Sequence, residues 1–321
     1  MTRKDAKDLV TRTAKGWSDD HAARLAASLA YYTILSMAPL VVIAIAVAGF
    51  VFGKDAARGR VAAELGAVVG AQAAKGVEAI VANARAPAAG FVSTTIGVVV
   101  LLLGASGVFG ELQASLNAIW GVEPKPDRGI RGVVKDRFLS FTMVLGVAFL
   151  LLVSLVVSAA LSAAGAFLAH SLPAGELVWQ VLNFAISIAI VMVLFGLIFK
   201  VVPDVAIEWR DVWPGALVTA LLFAVGKYFL GLYLGRSALS SSYGAAGSLV
   251  ALAVWVYYAA QILFVGAEFT RAQATRRGAV IEPRREAVVS RSTRDTSIRV
   301  RPMRRMNSPR PPTPIARPPA T

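Results

Sequence analysis

The side chains that could perform chemistry are few in this sequence, and they lie far apart. The 321 residues include two histidines, His21 and His170, and no cysteine. The lack of cysteine excludes thiolate catalysis, Cys-ligated zinc, iron–sulfur clusters and disulfides. The HExxH, GxSxG and GxxxxGKS/T signatures of metalloproteases, serine hydrolases and nucleotide-binding proteins do not occur. The sequence therefore predicts a protein that is not an enzyme, without a catalytic, metal or cofactor site.

Ionisable residues inside apolar stretches are the remaining candidates, because each is costly to place in lipid. Lys227 lies 13 residues after Pro214, which is roughly 20 Å along a helix. Two interpretations stay open: the lysine extends to lipid headgroups, or it faces an internal cavity and contacts an anionic group. Glu268 ends the last apolar stretch at too different a depth to pair with Lys227. Gln261 could hydrogen-bond between helices or line a path, and hydrogen bonding between helices is the expected role.

The composition places these residues in a membrane protein. The chain is 56% hydrophobic, whereas ordinary soluble domains are about 45–50% apolar. Its net charge of +14 would suit an anionic partner such as nucleic acid or a lipid surface. Both properties together favour a chain that lives in lipid and contacts membrane lipids.

Six apolar stretches are long enough to cross a bilayer, which takes about 20 residues each. Backbone groups in lipid must satisfy one another, so we expect these stretches to be helices. The predicted fold class is an all-α polytopic membrane protein with six transmembrane helices. The predicted spans are Leu29–Gly53, Phe91–Phe109, Leu139–Phe167, Val178–Val202, Trp213–Leu234 and Gly247–Phe269.

Three features between and within the spans are distinctive. Pro39 is expected to kink the first helix. The segment from Lys54 to Gly90 has near-helical apolar spacing and predicts amphipathic helices on the outer face, either as a packed surface or as a substrate lid. After the second span, a short helix is expected to end at Pro124 and to place Trp120 at the headgroup level. Its apolar face would be Leu112, Leu116, Ile119 and Trp120.

Basic residues in the loops predict the orientation. With both termini inside, 26 lysines and arginines fall on the inner side and 6 on the outer side. Lysine and arginine are enriched in cytoplasmic loops, so both termini are predicted to be cytoplasmic. The first apolar stretch is too long for a signal peptide and is interpreted as an uncleaved anchor.

The C-terminal 52 residues differ in composition from the rest. They hold thirteen arginines, eight prolines and no aromatic residue, with a net charge of +10. This composition predicts a disordered cytoplasmic tail that contacts anionic lipid; nucleic acid is not expected, because aromatic stacking groups are missing. The predicted division is an N-terminal segment 1–28, a membrane domain 29–269 and a tail 270–321.

Four ordered blocks carry a family resemblance. They are DHAARLAASLAYYTILSMAPLVV (20–42), LLLGASGVFGELQASLNAIWGV (101–122), VVPDVAIEWRDVWPGAL (201–217) and YLGRSALSSSYGAAGSLVALAVWVYYAAQILFVGAEF (233–269). Together they resemble the YihY/BrkB family of bacterial inner-membrane proteins, over about residues 19–272. The resemblance implies a multi-pass inner-membrane protein and offers no catalytic assignment. Members have carried the label ribonuclease BN, which we regard as a historical misassignment.

These observations favour a transporter or exporter of a lipidic, amphipathic or small anionic substrate. An envelope scaffold or assembly factor that transports nothing is the alternative, and a ribonuclease is a remote third hypothesis. The sequence leaves homo-oligomerisation open. The candidate residues for a substrate path, including positions matched to the family pattern, are Lys227, Glu268, Tyr31, Tyr32, Ser36, Pro39, Asn117, Trp120, Tyr243 and Gly244.

Overall fold

The computed structural model describes residues 3–52, 107–125, 175–236, 247–279, 282–284 and 287–290. This part of the chain is mostly helical, as its long apolar stretches predict. The helices are α1 (Arg3–Asp19), α2 (Ala22–Phe52), α3 (107–119), α4 (Gly175–Val201), α5 (Trp209–Arg236) and α6 (Gly247–Arg276). Two short strands, β1 (Val122–Pro124) and β2 (Ala287–Val289), form an antiparallel pair.

Three of the described helices have the length and composition of membrane spans. The apolar regions are Gln180–Val201, Trp209–Leu230 and Leu249–Arg276. They coincide with the fourth, fifth and sixth predicted spans, which are thereby confirmed as apolar helices of spanning length. The first predicted span lies within α2, apart from its last residue. The third predicted span, most of the second and the segment 54–90 lie outside the described residues.

Helix α6 is the centre of the described fold, because α1, α2 and α5 all pack against it, while α4 packs against α5. Helix α1 runs antiparallel to α6 and is attached to it at two levels. Trp17 Nε1 donates a hydrogen bond to Gln261 Oε1 at 3.1 Å, and Arg276 Nη2 lies 2.9 Å from Asp5 Oδ1. The prediction that Gln261 bonds between helices is confirmed.

Small residues allow α5 and α6 to approach closely. A Cβ at Gly215 would overlap Thr270 and would lie 3.3 Å from the carbonyl oxygen of Gly266. A Cβ at Gly266 would in turn overlap Thr219. Each threonine hydroxyl is satisfied within its own helix, since Thr219 donates to the Gly215 carbonyl at 2.7 Å and Thr270 to the Gly266 carbonyl at 2.8 Å. This crossing uses the small-residue spacing typical of membrane helix pairs.

The described core lies at one end of the bundle, which we call the polar end. It consists of residues 3–29, 107–125, 195–216, 260–279, 282–284 and 287–290, which bring together the ends of several helices. Leu116, Ile119, Phe199 and Phe264 are each at most 1% exposed there. Away from this end, α4 and α5 expose large apolar side chains such as Phe184, Val225 and Phe229, as expected for helices covered by lipid.

The predicted end of the segment after α3 needs correction. The apolar face of Leu112, Leu116, Ile119 and Trp120 exists on the predicted helix, and Trp120 is 3% exposed and packs in the core. The helix stops before Pro124, because Gly121 has a φ of +66°, a left-handed conformation that glycine adopts readily and that ends helices. Strand β1 follows, so the fold is not purely helical.

The boundary predicted for the tail, at residue 270, lies too early. Helix α6 continues to Arg276, and Ala274 is buried. Beyond it, Pro283 forms a bridge with Val205, and β2 pairs with β1 through Val289 and Val122, among others. Residues 282–284 and 287–290 are therefore part of the folded polar end. The predicted disorder of residues 291–321 falls outside the described residues.

The α5–α6 crossing generates a stability prediction. Replacing Gly266 by alanine would force its Cβ onto Thr219 and to 3.0 Å from Phe199 Cζ, and overpacking of this kind costs about 1–3 kcal/mol. We therefore expect Gly266→Ala to lower the apparent Tm of the detergent-purified protein, measured by thermal unfolding.

The matched control is Gly110→Ala in α3, where an added Cβ has no neighbour within 4 Å. There the higher helix propensity of alanine should leave stability unchanged or raise it by up to ~1 kcal/mol. Equal effects of the two substitutions would show that α5 and α6 do not cross at Gly266.

Candidate functional site

Four arginines near the end of α6 connect it to other elements of the polar end. We call residues 271–284 the arginine segment. Arg277 connects this segment to α5: its Nη1 lies 3.0 Å from Asp211 Oδ1 and 3.1 Å from the Arg210 carbonyl oxygen. Pro214, four residues after Arg210, has no N–H with which to bond that carbonyl. Arg277 thus supplies the donor that the helix lacks and neutralises a buried carboxylate.

The other three arginines bind further helix ends. Arg284 donates to the carbonyl oxygens of Lys200 (3.0 Å) and Val201 (3.2 Å), the last two residues of α4. Arg271 donates to the Ile119 carbonyl at the end of α3 and to the Asp20 carboxylate between α1 and α2. Arg276 pairs with Asp5 near the start of α1. Carbonyls at the C-terminal ends of helices lack intrahelical partners, and Arg271 and Arg284 provide donors to them.

Glu268 is the most deeply buried carboxylate among the described residues that lacks a close ion pair. It is 2% exposed, and its Oε2 lies 3.7 Å from Arg271 Nη1. Its Oε1 has no hydrogen-bond partner. The Cα of Gly16 in α1 packs directly against the carboxyl group, where a Cβ would overlap Oε2. A buried polar group without a partner is rare and calls for an explanation.

A second polar cluster joins α3 to the connection between α4 and α5. Asn117 Nδ2 donates to Asp204 Oδ2 at 2.9 Å, and the backbone N–H of Asp204 donates to Asn117 Oδ1 at 2.7 Å. Gln113 Nε2 donates to the same carboxylate oxygen at 3.2 Å. Asn117 is 3% exposed, so this reciprocal pair fixes the α4–α5 connection against α3.

A half-open cavity of about 450 Å³ lies beside this connection. Its charged lining residues are already engaged within the protein. Asp211 is bound by Arg277, Arg210 Nε lies 2.6 Å from Glu208, and Lys200 donates to the Ile207 carbonyl and lies over the Trp209 ring. The cavity therefore does not define a ligand class by its charge.

Lys227 lies on the packed face of α5 and yet is exposed. It follows Ala216, Ala220 and Phe223 at helical intervals of four, three and four residues, which place all four on one side. Ala216 and Ala220 are fully buried, and Phe223 contacts Phe195 of α4 and Trp255 of α6. The most exposed residues of the helix, Val225, Tyr228 and Phe229, lie on the other side. Lys227 therefore lies on the side of α5 that packs against α4 and α6.

The structure brings some of the predicted residues together and separates others. Asn117, Trp120, Ser36 and Glu268 are buried, and all but Ser36 lie in the polar end. Lys227 lies well away from them: Trp255, which packs on Phe223, is already 13 residues from Glu268, or roughly 20 Å of helix.

The remaining predicted residues are dispersed. Tyr31 and Tyr32 are 62% and 40% exposed and contact each other edge to face. Pro39 lies inside α2, where the helix continues on both sides. Tyr243 and Gly244 lie outside the described residues.

Sequence reasoning missed the residues that organise the polar end, namely Asp20, Asp204, Arg271, Arg277 and Arg284. One signal was available for Arg277, because Pro214 near the start of an apolar helix leaves a carbonyl that needs a donor. The others come from elements distant in sequence and carry no local pattern. Within the described residues, no group of three or more metal-ligating side chains occurs.

Comparison with known proteins assigns the family. The family described as Virulence factor BrkB matches residues 13–290, most of the chain. The chain therefore belongs to the YihY/BrkB family of membrane proteins, and the predicted resemblance is confirmed. The match also extends beyond residue 272, past the limit predicted for the resemblance, to the last described residue. No solved structure matches this chain.

Relatives in several bacteria carry the name UPF0761 membrane protein. The one from Verminephrobacter eiseniae is 32% identical over 257 residues, covering 78% of this chain and 58% of the relative. The one from Rhodospirillum centenum is 28% identical over 272 residues, covering 83% and 57%. The chain thus spans less than three fifths of the length of these two relatives. Their names support its nature as an integral membrane protein.

The Asn117–Asp204 pair generates a second prediction. Asn117→Ala would remove two hydrogen bonds, one from the Asp204 N–H and one to the Asp204 carboxylate, at a cost of about 1–3 kcal/mol. We expect a lower apparent Tm in detergent. Gln113→Ala removes a single, longer hydrogen bond to the same carboxylate and should cost ~1 kcal/mol or less. An Asn117→Ala protein as stable as the Gln113→Ala protein would contradict this account of the cluster.

Proposed function

We propose that this protein is a transporter or exporter of a lipidic, amphipathic or small anionic substrate in a bacterial inner membrane. The observation that supports this best is the position of Lys227, an exposed cation on the packed face of an apolar helix. Ionisable side chains inside membrane domains are costly, and they commonly mark substrate or ion pathways. We infer that Lys227 binds the anionic group of the substrate during its passage.

The surroundings of Lys227 are consistent with a path that an acyl chain or other apolar group could share. The next residue towards the polar end is Gly226, and a side chain there would overlap the ring of Tyr258 on α6. Between Lys227 and the polar end, the ring of Phe223 packs against the rings of Phe195 and Trp255 and fills the interface between the helices. A cation bordered by aromatic and apolar side chains suits an amphipathic ligand.

We also propose that the polar end faces the cytoplasm, with both chain termini on that side. The polar end holds the arginine segment together with Lys4, Lys7, Arg12 and Lys15 of α1, and basic residues are retained on the cytoplasmic side. Eight further arginines follow residue 290. We propose that they contact anionic lipid, to which each basic residue near the surface contributes about 1 kcal/mol.

A non-enzymatic role fits the carboxylates of the polar end. Asp5, Asp20 and Asp211 are bound by arginines, and Asp204 is bound by amide groups. A scaffold or assembly factor remains the second candidate, and the extensive pairing that fixes the polar end is the observation that favours it. A fixed surface can hold a partner protein without any movement of substrate.

A transport assay tests the proposal. Purified protein is reconstituted into liposomes with a fluorescent phosphatidylglycerol, and its movement between leaflets is followed by chemical quenching of the outer leaflet. Removing the lysine charge by Lys227→Met should slow this movement about tenfold, since a hydrogen bond to a charged group contributes about 1.5–3 kcal/mol. Lys227→Arg keeps the charge and should retain most of the activity.

The matched control is Tyr228→Leu, at the neighbouring but lipid-exposed position, which should move the probe at the wild-type rate. Wild-type activity in Lys227→Met would refute the role of the lysine. If the wild-type protein does not accelerate the probe or small anions but purifies with one fixed envelope partner, the scaffold function is the correct one.

A further inference from the structure

We propose that Glu268 is a proton-binding site, and that its protonation state determines how firmly Arg271 connects α6 to the rest of the polar end. The inference that protonation of Glu268 controls transport rests on the proposed function. The inference that Glu268 binds a proton does not depend on it. The ligand is a proton from the aqueous side of the polar end. Its acceptor is the carboxylate of Glu268.

The geometry around Glu268 fits a neutral carboxylic acid. An ionised carboxylate offers about four acceptor positions, and buried charges are normally paired and hydrogen-bonded. Here Oε1 has no partner, and Arg271 Nη1 is 3.7 Å from Oε2, beyond hydrogen-bonding distance. The other neighbour of the carboxyl group is the Asp20 side chain, to which a protonated Glu268 could donate and an ionised one could not. The side chain is 2% exposed, so bulk water does not solvate it.

Arg271 is shared between competing acceptors. It donates to the Asp20 carboxylate and to the Ile119 carbonyl oxygen, and Glu268 is its third, more distant neighbour on the same helix. These contacts connect α6 to the α1–α2 turn and to the end of α3. If Glu268 loses its proton, the new carboxylate competes for the same guanidinium. The contacts of Arg271 with Asp20 and Ile119 should then weaken.

The charged groups around Glu268 are few. Asp20 lies within hydrogen-bonding reach, and Asp19 adds a second nearby negative charge. Arg271 is the nearby cation, while the closest part of α1 is the uncharged Gly16. Helix α2 presents Ala22 and Ala26 to the core, and α5 meets α6 through Gly215 and Thr219. The single positive charge of Arg271 can neutralise only one of the carboxylates of Asp20 and Glu268. A proton on Glu268 removes the second negative charge.

The proposed step is a simple proton transfer. In the protonated state, Glu268 is neutral and Arg271 remains on Asp20 and Ile119, as in this structure. When the proton leaves to the aqueous side, Glu268 becomes a carboxylate and takes Arg271 as its counter-ion. The end of α3 and the α1–α2 turn are then released from α6. Higher pH at the polar end should therefore loosen this end of the bundle.

Infrared difference spectroscopy tests the proton site without any transport. The wild-type protein in liposomes should show a protonated-carboxyl C=O band that disappears as the pH is raised. Glu268→Gln should lack this band, and Asp211→Asn should keep it, because Asp211 is an equally buried carboxylate that is already paired with Arg277. A band that persists unchanged in Glu268→Gln would overturn the proposal.

A second variant tests the proposal even if Glu268→Gln does not fold. Asp20→Asn removes the acid that now holds Arg271 and leaves that guanidinium available to Glu268. The band should then disappear at a lower pH than in the wild-type protein. An unchanged or higher midpoint would overturn the competition between the two acids for Arg271.

Transport measurements then distinguish a failure of this inference from a failure of the proposed function. The rate at which the fluorescent phosphatidylglycerol moves between leaflets should rise with the pH on the side of the polar end. The expected increase is about tenfold over the pH range in which the band disappears. Glu268→Gln should be slow at every pH, and Asp211→Asn should keep the pH dependence. A pH response that survives in Glu268→Gln would refute the control by Glu268. A titrating band in a wild-type protein that moves neither the probe nor small anions would refute the proposed function and leave the proton site established.

Discussion

Unsatisfied carbonyl oxygens at helix ends are the constraint on which the polar end depends. Several helices stop there, and each leaves backbone acceptors without intrahelical donors. Arginine side chains from one short stretch of chain satisfy acceptors at the ends of α3 and α4 and beside Pro214 of α5. Because a single segment serves all three helices, α6 and the residues after it hold the described bundle together.

This arrangement combines contacts that have a single partner with one contact for which two carboxylates compete. Gly215 and Gly266 bring α5 and α6 into close backbone contact. Asn117 holds Asp204 through two reciprocal hydrogen bonds. Arg271 differs, because two carboxylates lie beside it and only one of them holds it closely. The contact between α6 and the α1–α2 turn is thus one that a change of charge at Glu268 could alter. Lys227 lies at the other end of the same α5–α6 interface, where a substrate could act on it.

Local sequence patterns predicted the apolar helices and the buried face of α3, because helical periodicity and spanning length are properties of neighbouring residues. They did not predict the polar end. Arg271 and Asp20 are 251 residues apart, and nothing near either of them indicates the other. The arginine-rich composition after residue 270 was interpreted as a disordered tail. Its first arginines in fact bind buried carboxylates and carbonyls, which composition alone cannot reveal.

Amide hydrogen exchange in lipid nanodiscs tests the central claim most directly, namely that the chain after α6 is a folded part of the polar end. The amides of Ala206, Arg284, Ala287 and Ser290 donate to backbone carbonyls at 2.9–3.0 Å. We predict that they exchange at least ~100-fold more slowly than an unstructured peptide. Exchange of all four at the unstructured rate would contradict the account.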